Sequence, residues 1–384
     1  MRPSRCLTKG TPMVALDLTT TPDLPPSEFV ALRQAVRGDL VLPEDPGYEQ
    51  ARKVWNGMVD KRPAAIVYCG SSDDVVAAVN FARSHQLLLA VRAGGHNVAG
   101  SSVCDAGLVI DLSRMKQIEV DPIRRVARAQ AGLNLGEFDT ATQAHGLATT
   151  MGVNADTGIA GLTVGGGFGK LGRKHGLTCD NLVAAEIVTA DGRLLQASAT
   201  ENADLFWGIR GGGGNFGIVT TFEYLLHPVG PTLLAGSVLH AYDDAPAAMR
   251  FYRVFASQAP DELSLDAALV TAPSGERMFS ISACYVGPLD AGVQAVQPLR
   301  SYGAPVEDRI APIPLPANPI GRRQHFPART PLLLEGAVHA RDLRRGHRHA
   351  TRRLCGRAKR VAGRLPARRR SDHARPDTRN ALCK

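Results

Sequence analysis

The chain has 384 residues, more than one hydrophobic core usually serves, which predicts two domains or one composite domain. Thirty-nine glycines and 5% aromatic residues suit a loop-rich α/β or α+β protein rather than a helical bundle. The formal net charge of +9 is unevenly spread: residues 321–384 hold 19 Lys/Arg and four Asp/Glu, leaving 26 and 32 to residues 1–320, so the body is mildly acidic and no nucleic-acid partner is expected for it.

The N-terminus, "MRPSRCLTKGTPMVALDL", has basic residues but neither an apolar core segment nor a small-residue cleavage site, so secretion is not indicated. Met13 is a possible start, with residues 1–12 an upstream extension. Residues 1–60 read as a helical lead-in, because "SEFVALRQAV" places apolar side chains on one face. From Lys61 the texture changes. "AAIVYCG" is a buried strand, and "SSDDVVAAVNFARSH" opens with the Ser71 to Asp74 capping-box spacing and runs helical.

"QLLLAVRAGGHN" returns to strand and loop, "GLVIDLS" and "RRVARAQAG" follow as strands, and "NLGEFDTATQAHG" as a helix. Next come the glycine-rich "TGIAGLTVGGGFGKLGRKHG", the strands "AAEIVTADG" and "RLLQAS", and "NADLFWGIRGGGGNFGIVTTFEYLL". Strands outnumber helices without strict alternation, which predicts α+β with mixed sheets. After Pro228 and Pro231 a second unit begins, with "LLAGSVLHAY", "LSLDAALVTA" and "MFSISACYVG" as strands around the helix "DAPAAMRFYRVFASQ".

Near Gly321 the pattern stops. Residues 321–384 are rich in Arg, Ala, His and Pro without sustained periodicity and read as disordered. One alternative is a nucleic-acid arm; the reading preferred is a non-native tail, such as a frameshifted translation of GC-rich DNA. No run approaches the roughly 18 to 20 apolar residues of a membrane span, so no membrane association is expected. The seven cysteines (Cys6, Cys69, Cys104, Cys179, Cys284, Cys355 and Cys383) are odd in number, scattered and free of C-x-x-C pairs. That argues against a disulfide framework or a zinc site and for a reducing cytoplasm.

Glycine-bearing loops occur at residues 94–95, 165–169 and 211–217. Glycine lets backbone N–H groups close on a phosphate and adopt φ > 0, although any one such loop is also a simple tight turn. "GGGNFG" formally matches G-x-G-x-x-G, but that fingerprint must open a helix. Here it is followed by the β-branched, alternating "IVTTFEYLL", a strand. No G-x-x-x-x-G-K-[ST] exists, so a P-loop is excluded. Three such loops together favour a large phosphate-bearing ligand held between subdomains. His96, in "VRAGGHN", is open to several readings: turn residue, metal ligand, base, or a group held against a cofactor. No Cys/His/Asp cluster supports a metal, and no partner acid is in view for a base.

"RAGGHN", followed by "GLVIDLSRMKQIEVD", "TGIAGLTVGGGFGKLGRKHGLTCDNLVAAEIVTADGRLL" and "NADLFWGIRGGGGNFGIVT", strongly resembles the berberine-bridge-enzyme-like FAD-linked oxidases. These belong to the vanillyl-alcohol-oxidase superfamily and carry a PCMH-type FAD-binding domain. The resemblance spans roughly residues 50 to 228 and continues more weakly to about 320. It implies an α+β fold: an FAD-binding domain of two α+β subdomains over residues 61–228, then a partial substrate domain with a mixed or antiparallel sheet over 229–320. It also implies an oxidase that passes a hydride from an alcohol, sugar or amine carbon to flavin, with oxygen as electron acceptor.

Carried over residue by residue, the resemblance makes Arg92, Ala93, Gly94, Gly95, His96 and Asn97 the loop around the FAD pyrophosphate, with Arg92 supplying charge. His96 falls on the position that bonds covalently to the flavin 8α carbon, for which a neutral imidazole is a competent nucleophile. Asn154 stands where some relatives have a second attaching cysteine, and an amide cannot replace a thiolate, so one link is expected. Cys179 reads as a small buried residue. Asp156, Thr157, Gly158, Ile159, Gly161 and Thr163 are placed along the flavin or its ribityl chain, and Ile218 and Val219 at the adenine end. Asn215 and Phe216 read equally as turn and core residues.

The catalytic base is not identified. Tyr285 and His240 lie on strand-like runs, where half-buried strand positions are the simpler reading. The family's Tyr- and Asn-rich closing segment has no counterpart after Tyr302, which implies uncovered apolar surface and a weakly active or inactive chain. Three functions compete: a flavoprotein oxidase, a flavin-containing protein that sequesters a ligand without turnover, and a truncated inactive family member.

Overall fold

The helix after the first buried strand is started by its own cap. Ser71 is extended (φ −147°, ψ 166°) and its hydroxyl accepts the Asp74 N–H. The Asp74 carboxylate does not return to the cap; it accepts the N–H groups of Arg37 and Gly70 instead. That link ties the chain before residue 40 to the helix. In the computed structural model, which describes residues 24–315 apart from 273, the stretch expected as a helical lead-in therefore belongs to the first sheet. After α1 (Phe29–Ala35), β1 (Asp39–Val41) pairs antiparallel with β2 (Ala65–Tyr68), and α2 (Tyr48–Ala51) lies between them. The predicted boundary at residue 60 cuts across that pairing.

Helix α3 (Ser72–Ser84) leads to β3 (Leu89–Arg92), and β4 (Leu108–Asp111) inserts between β2 and β3 in the order β1-β2-β4-β3. The last three strands are parallel; β4 in the middle is buried on both faces, while β3 at the edge keeps one face open. A second, antiparallel sheet follows from β5 (Ile118–Asp121) and β6 (Val126–Gln130). Between β6 and the next long strand come α4 (Leu135–Gln143), β7 (Leu147–Ala148), α5 (Ile159–Val164) and α6 (Gly172–His175). Asn134 and Glu137 form a complete capping box on α4. Then β8 (Leu182–Val188), β9 (Leu194–Ser198), α7 (Ala203–Ile209) and β10 (Ile218–Leu225) complete the sheet in the order β5-β6-β10-β8-β9. The run after "GGGNFG" is thus a strand, as its alternation predicts.

One core joins the two sheets, with Val67, Ile110, Phe138, Phe222 and Tyr224 all fully enclosed. The chain leaves through β11 (His227–Pro228), which pairs with β7. A third sheet then forms from β12 (Thr232–Ala241), β13 (Leu263–Thr271) and β14 (Arg277–Tyr285), all antiparallel, with α8 (Ala245–Gln258) and α9 (Leu289–Ser301) on one face. The short strands β15 (Glu307–Asp308) and β16 (Ala311–Pro314) pair with β12. A separate apolar cluster, including Ala148, Leu171, Leu233 and Cys284, fastens this sheet to β7 and the start of α6. The architecture is α+β, with 321–384 outside the described residues. No described helix is long and apolar enough to cross a membrane.

Candidate functional site

Three glycine loops that are far apart in sequence converge on one cavity of about 810 Å³, within the range of ligand pockets. Its wall comes from residues 89–91 and 93–97, residues 157–158, α5 with Gly165 after it, and residues 213–215 and 217–219. The glycines serve two distinct purposes. A Cβ on Gly94 would lie 2.4 Å from the Gly158 nitrogen, and one on Gly158 would lie 2.6 Å from the Gly94 nitrogen, so this pair lets two backbones touch. At Gly161, Gly213 and Gly214 a Cβ would meet nothing within 4 Å. These positions keep space open along the wall.

No lining residue carries a formal charge. Among the described residues, the consecutive backbone amides of residues 94–97 donate to no acceptor. Amides beside an enclosed space normally have partners, and a run of free ones makes an anion-binding nest. The wall can therefore hold an anion with dipoles alone.

His96 is the third residue of that run, with its side chain 18% exposed. Its Nδ1 lies 3.5 Å from Thr157 Oγ1 and its Nε2 lies 3.9 Å from the Asp156 carboxylate. Burial pushes its pKa below the usual 6.5, and Asp156 only partly offsets this, so the imidazole is neutral at pH 7. The Trp55 indole stacks on the imidazole, ring centroids 5.4 Å apart and planes 23° from parallel.

Of the residues singled out from sequence, Ala93, Gly94, Gly95, His96, Asn97, Thr157, Gly158, Gly161, Ile218 and Val219 line the cavity, as does Asn215. Arg92 does not supply charge to it. Side chains alternate along a strand, and Arg92 points into the protein, 6% exposed, where its Nε donates to Asp111 at 2.5 Å. Thr163 also turns inward. It is fully buried on α5, with its hydroxyl 2.7 Å from both the Ile159 carbonyl and the Tyr224 hydroxyl. Ile159 is a core residue. Asp156 stays outside the wall and reaches the cavity only through His96.

Asn154 is a turn residue whose carbonyl accepts the Thr157 N–H. Cys179 is buried, with its thiol pKa pushed up by burial, and lines no part of the cavity. Phe216 packs its ring on Gly208 and Gly212. Tyr285 is a core residue of the third sheet, and His240 is 2% exposed; neither reaches the cavity. Among the described residues no group of three or more His, Cys, Asp or Glu could hold a metal. Sequence reasoning passed over Trp55, Ser101, Ser102 and residues 89–91. Trp55 lies in a stretch without periodicity, and its partner is 41 positions away, so nothing local marks it.

A two-sheet α+β unit holding a glycine-walled, anion-accepting cavity defines a nucleotide-cofactor domain, and residues 63–198 match the family model described as an FAD binding domain. An FAD-linked oxidoreductase of Dictyostelium discoideum is 36% identical over 73% of this chain and 61% of its own length. The (R)-6-hydroxynicotine oxidase of Paenarthrobacter nicotinovorans is 32% identical over 74% of this chain and 63% of its own. Among solved structures, 6-hydroxy-D-nicotine oxidase from Arthrobacter nicotinovorans superposes with a TM-score of 0.69 at 30% identity, covering 72% of this chain and 62% of that one. A berberine-bridge-enzyme-like protein of Physcomitrella patens gives 0.69 at 26% identity, covering 75% and 62%. The chain is thus similar to FAD-linked oxidoreductases, the berberine-bridge-enzyme-like ones among them, and carries their FAD binding domain. It spans about three-fifths of the length of the relatives it matches.

Proposed function

We propose that this protein is an FAD-dependent oxidoreductase that removes a hydride from an alcohol, sugar or amine carbon of a small molecule. FAD would lie in the glycine-walled cavity, attached once, through His96, and oxygen would take the electrons. The observation that carries this reading is the unengaged amide run of residues 94–97, which includes a neutral imidazole, His96, inside a charge-free wall. Those amides suit a pyrophosphate, and the open spaces at Gly161, Gly213 and Gly214 leave room for a large flat ligand. Bound FAD supplies the two-electron acceptor, which no side chain of the protein can provide.

The residues have distinct tasks. The Asp156 carboxylate, facing Nε2, favours the tautomer with the proton there and leaves the lone pair on Nδ1. Thr157 flanks Nδ1 and bounds the direction in which the lone pair can point. Ile218 and Val219 close the far wall and exclude water. With Asn154 in a turn and Cys179 off the wall, no thiol among the described residues lines the cavity to compete for a second link. The names of similar structures favour amines and sugars as substrates, since they include a nicotine oxidase, a chitooligosaccharide oxidase and a glucose dehydrogenase.

The test is acid denaturation of wild type and His96→Ala. Wild type should keep flavin on the polypeptide, and His96→Ala should release all of it. Anaerobic titration with amines, sugars and alcohols should bleach the flavin absorbance. Colourless wild-type protein after saturation with FAD would refute the reading, and a cysteinyl-flavin peptide would refute the single link.

A further inference from the structure

We propose that Trp55 is a positioning residue for flavin attachment: its indole, held by a brace of residues 53–56, sets the plane of the His96 imidazole. The inference rests on the covalent reading of His96 and deepens it.

The backbone of Asp156 holds one ring nitrogen of His96, which leaves the tilt of the ring about that contact free, and the side-chain contacts are long. Thr157 Oγ1 at 3.5 Å is at the limit of a hydrogen bond, and Asp156 at 3.9 Å is beyond it. The torsion that sets a histidine ring plane has a broad energy well. The loop fixes the His96 backbone, with Gly95 at φ +69°, but not the torsion of its ring. Aromatic stacking is the contact made by the face of the ring, and the Trp55 separation of 5.4 Å lies within its range of about 4.5–7 Å.

Trp55 is itself held in place from its backbone. Its N–H donates to the Gly95 carbonyl at 3.2 Å. On one side of it Arg92 Nη1 donates to the Lys53 carbonyl at 3.3 Å, and on the other Asn56 Nδ2 donates to the Val98 carbonyl at 2.8 Å. The segment 53–56 is thus laced to residues 92–98 on both sides of His96.

Attachment joins an imidazole nitrogen to the methyl carbon of the ring system. The carbon gives up one hydrogen and the imidazole its N–H proton. Two electrons pass into the ring and on to dioxygen, which leaves as hydrogen peroxide. Bond formation of this kind needs the lone pair aimed at the carbon from about 3–3.5 Å, so a tilted imidazole slows it without preventing FAD from binding.

The experiment incubates flavin-free wild type, Trp55→Phe, Trp55→Leu and Trp55→Ala with FAD in air. It follows acid-stable flavin with time, bound flavin before acid, and thermal unfolding. Trp55→Phe should attach at close to the wild-type rate. Trp55→Leu and Trp55→Ala should still bind FAD but attach about tenfold more slowly. Wild-type rates in Trp55→Leu would overturn the proposal, since that variant keeps apolar bulk and loses only the aromatic face. So would a slow rate in all three variants that tracks their loss of stability. Absence of acid-stable flavin in wild type would refute attachment at His96 itself, a different outcome from equal rates across the series.

Discussion

Replacing Arg92 by Met should unfold this protein more than it weakens cofactor binding. Arg92 is 6% exposed and Asp111 2% exposed, and the 2.5 Å contact between them is the cation's main partner, with Lys53 carbonyl contributing at 3.3 Å. Asp111 also accepts the Ser113 N–H at 2.8 Å, which does not neutralise its charge. Removing the guanidinium leaves a carboxylate buried without a cation, which costs about 3–5 kcal/mol. With a urea dependence near 2–3 kcal/mol per molar, the midpoint should fall by about 1–2 M. Unfolding is measured by circular dichroism at saturating FAD, so that occupancy is equal in both proteins. Adding Asp111→Asn to Arg92→Met should recover about half of the loss, because the orphaned charge is then gone. An unchanged midpoint with a tenfold or greater loss of FAD affinity would refute this reasoning and restore Arg92 to the pyrophosphate.

Thr163→Val should cost about 1–3 kcal/mol, because it strands the buried Tyr224 hydroxyl, while FAD affinity stays near wild type; a selective loss of FAD affinity would return Thr163 to the cavity wall. Gly94→Ala drives a Cβ to 2.4 Å from the Gly158 backbone and should lower both stability, by about 1–3 kcal/mol, and FAD binding. Gly161→Ala meets no atom within 4 Å and should leave stability unchanged or improved in a melting experiment, with FAD binding reduced by the added methyl group. His175 stacks on His227 at 3.9 Å, and burial, then His227 and then Lys174 hold its pKa near 4. Between pH 6.5 and 4 the unfolded chain takes up a proton that the native state refuses, so stability falls as pH drops through that window. The full shift corresponds to about 3 kcal/mol, reduced to about 2 by partial exposure to solvent. His175→Phe keeps the stack and should flatten that part of the stability profile; an unchanged slope would count against the assignment.

Much of the local structure was written in local sequence. The β-branched alternation of "IVTTFEYLL" placed a strand after a glycine run that a nucleotide helix would otherwise follow, and Ser71 and Asn134 marked helix starts that the structure keeps. The glycine loops announced a large ligand because a missing side chain is a local, composition-level signal. What sequence could not supply was the direction in which side chains point once elements pair. Arg92 follows an apolar strand and precedes a phosphate-type loop, so its charge reads as belonging to the ligand. Strand parity and the parallel partner β4 instead deliver it to Asp111. Thr163 lies within the glycine-rich stretch, but the turn of α5 carries its hydroxyl to Tyr224, 61 positions later.

Residues 39–41 read as part of a helical lead-in until β2 is there to pair with them. By itself, the sequence determined the α+β class, the three glycine loops and the histidine that ends the first. Only the tertiary structure decided which of those residues face one another across the cavity, and that Trp55 and Asp156 flank His96. The physical reason is that propensity and capping act over a few residues. Facing is set by pairing register and packing between segments tens of residues apart, for which no single stretch carries a signal.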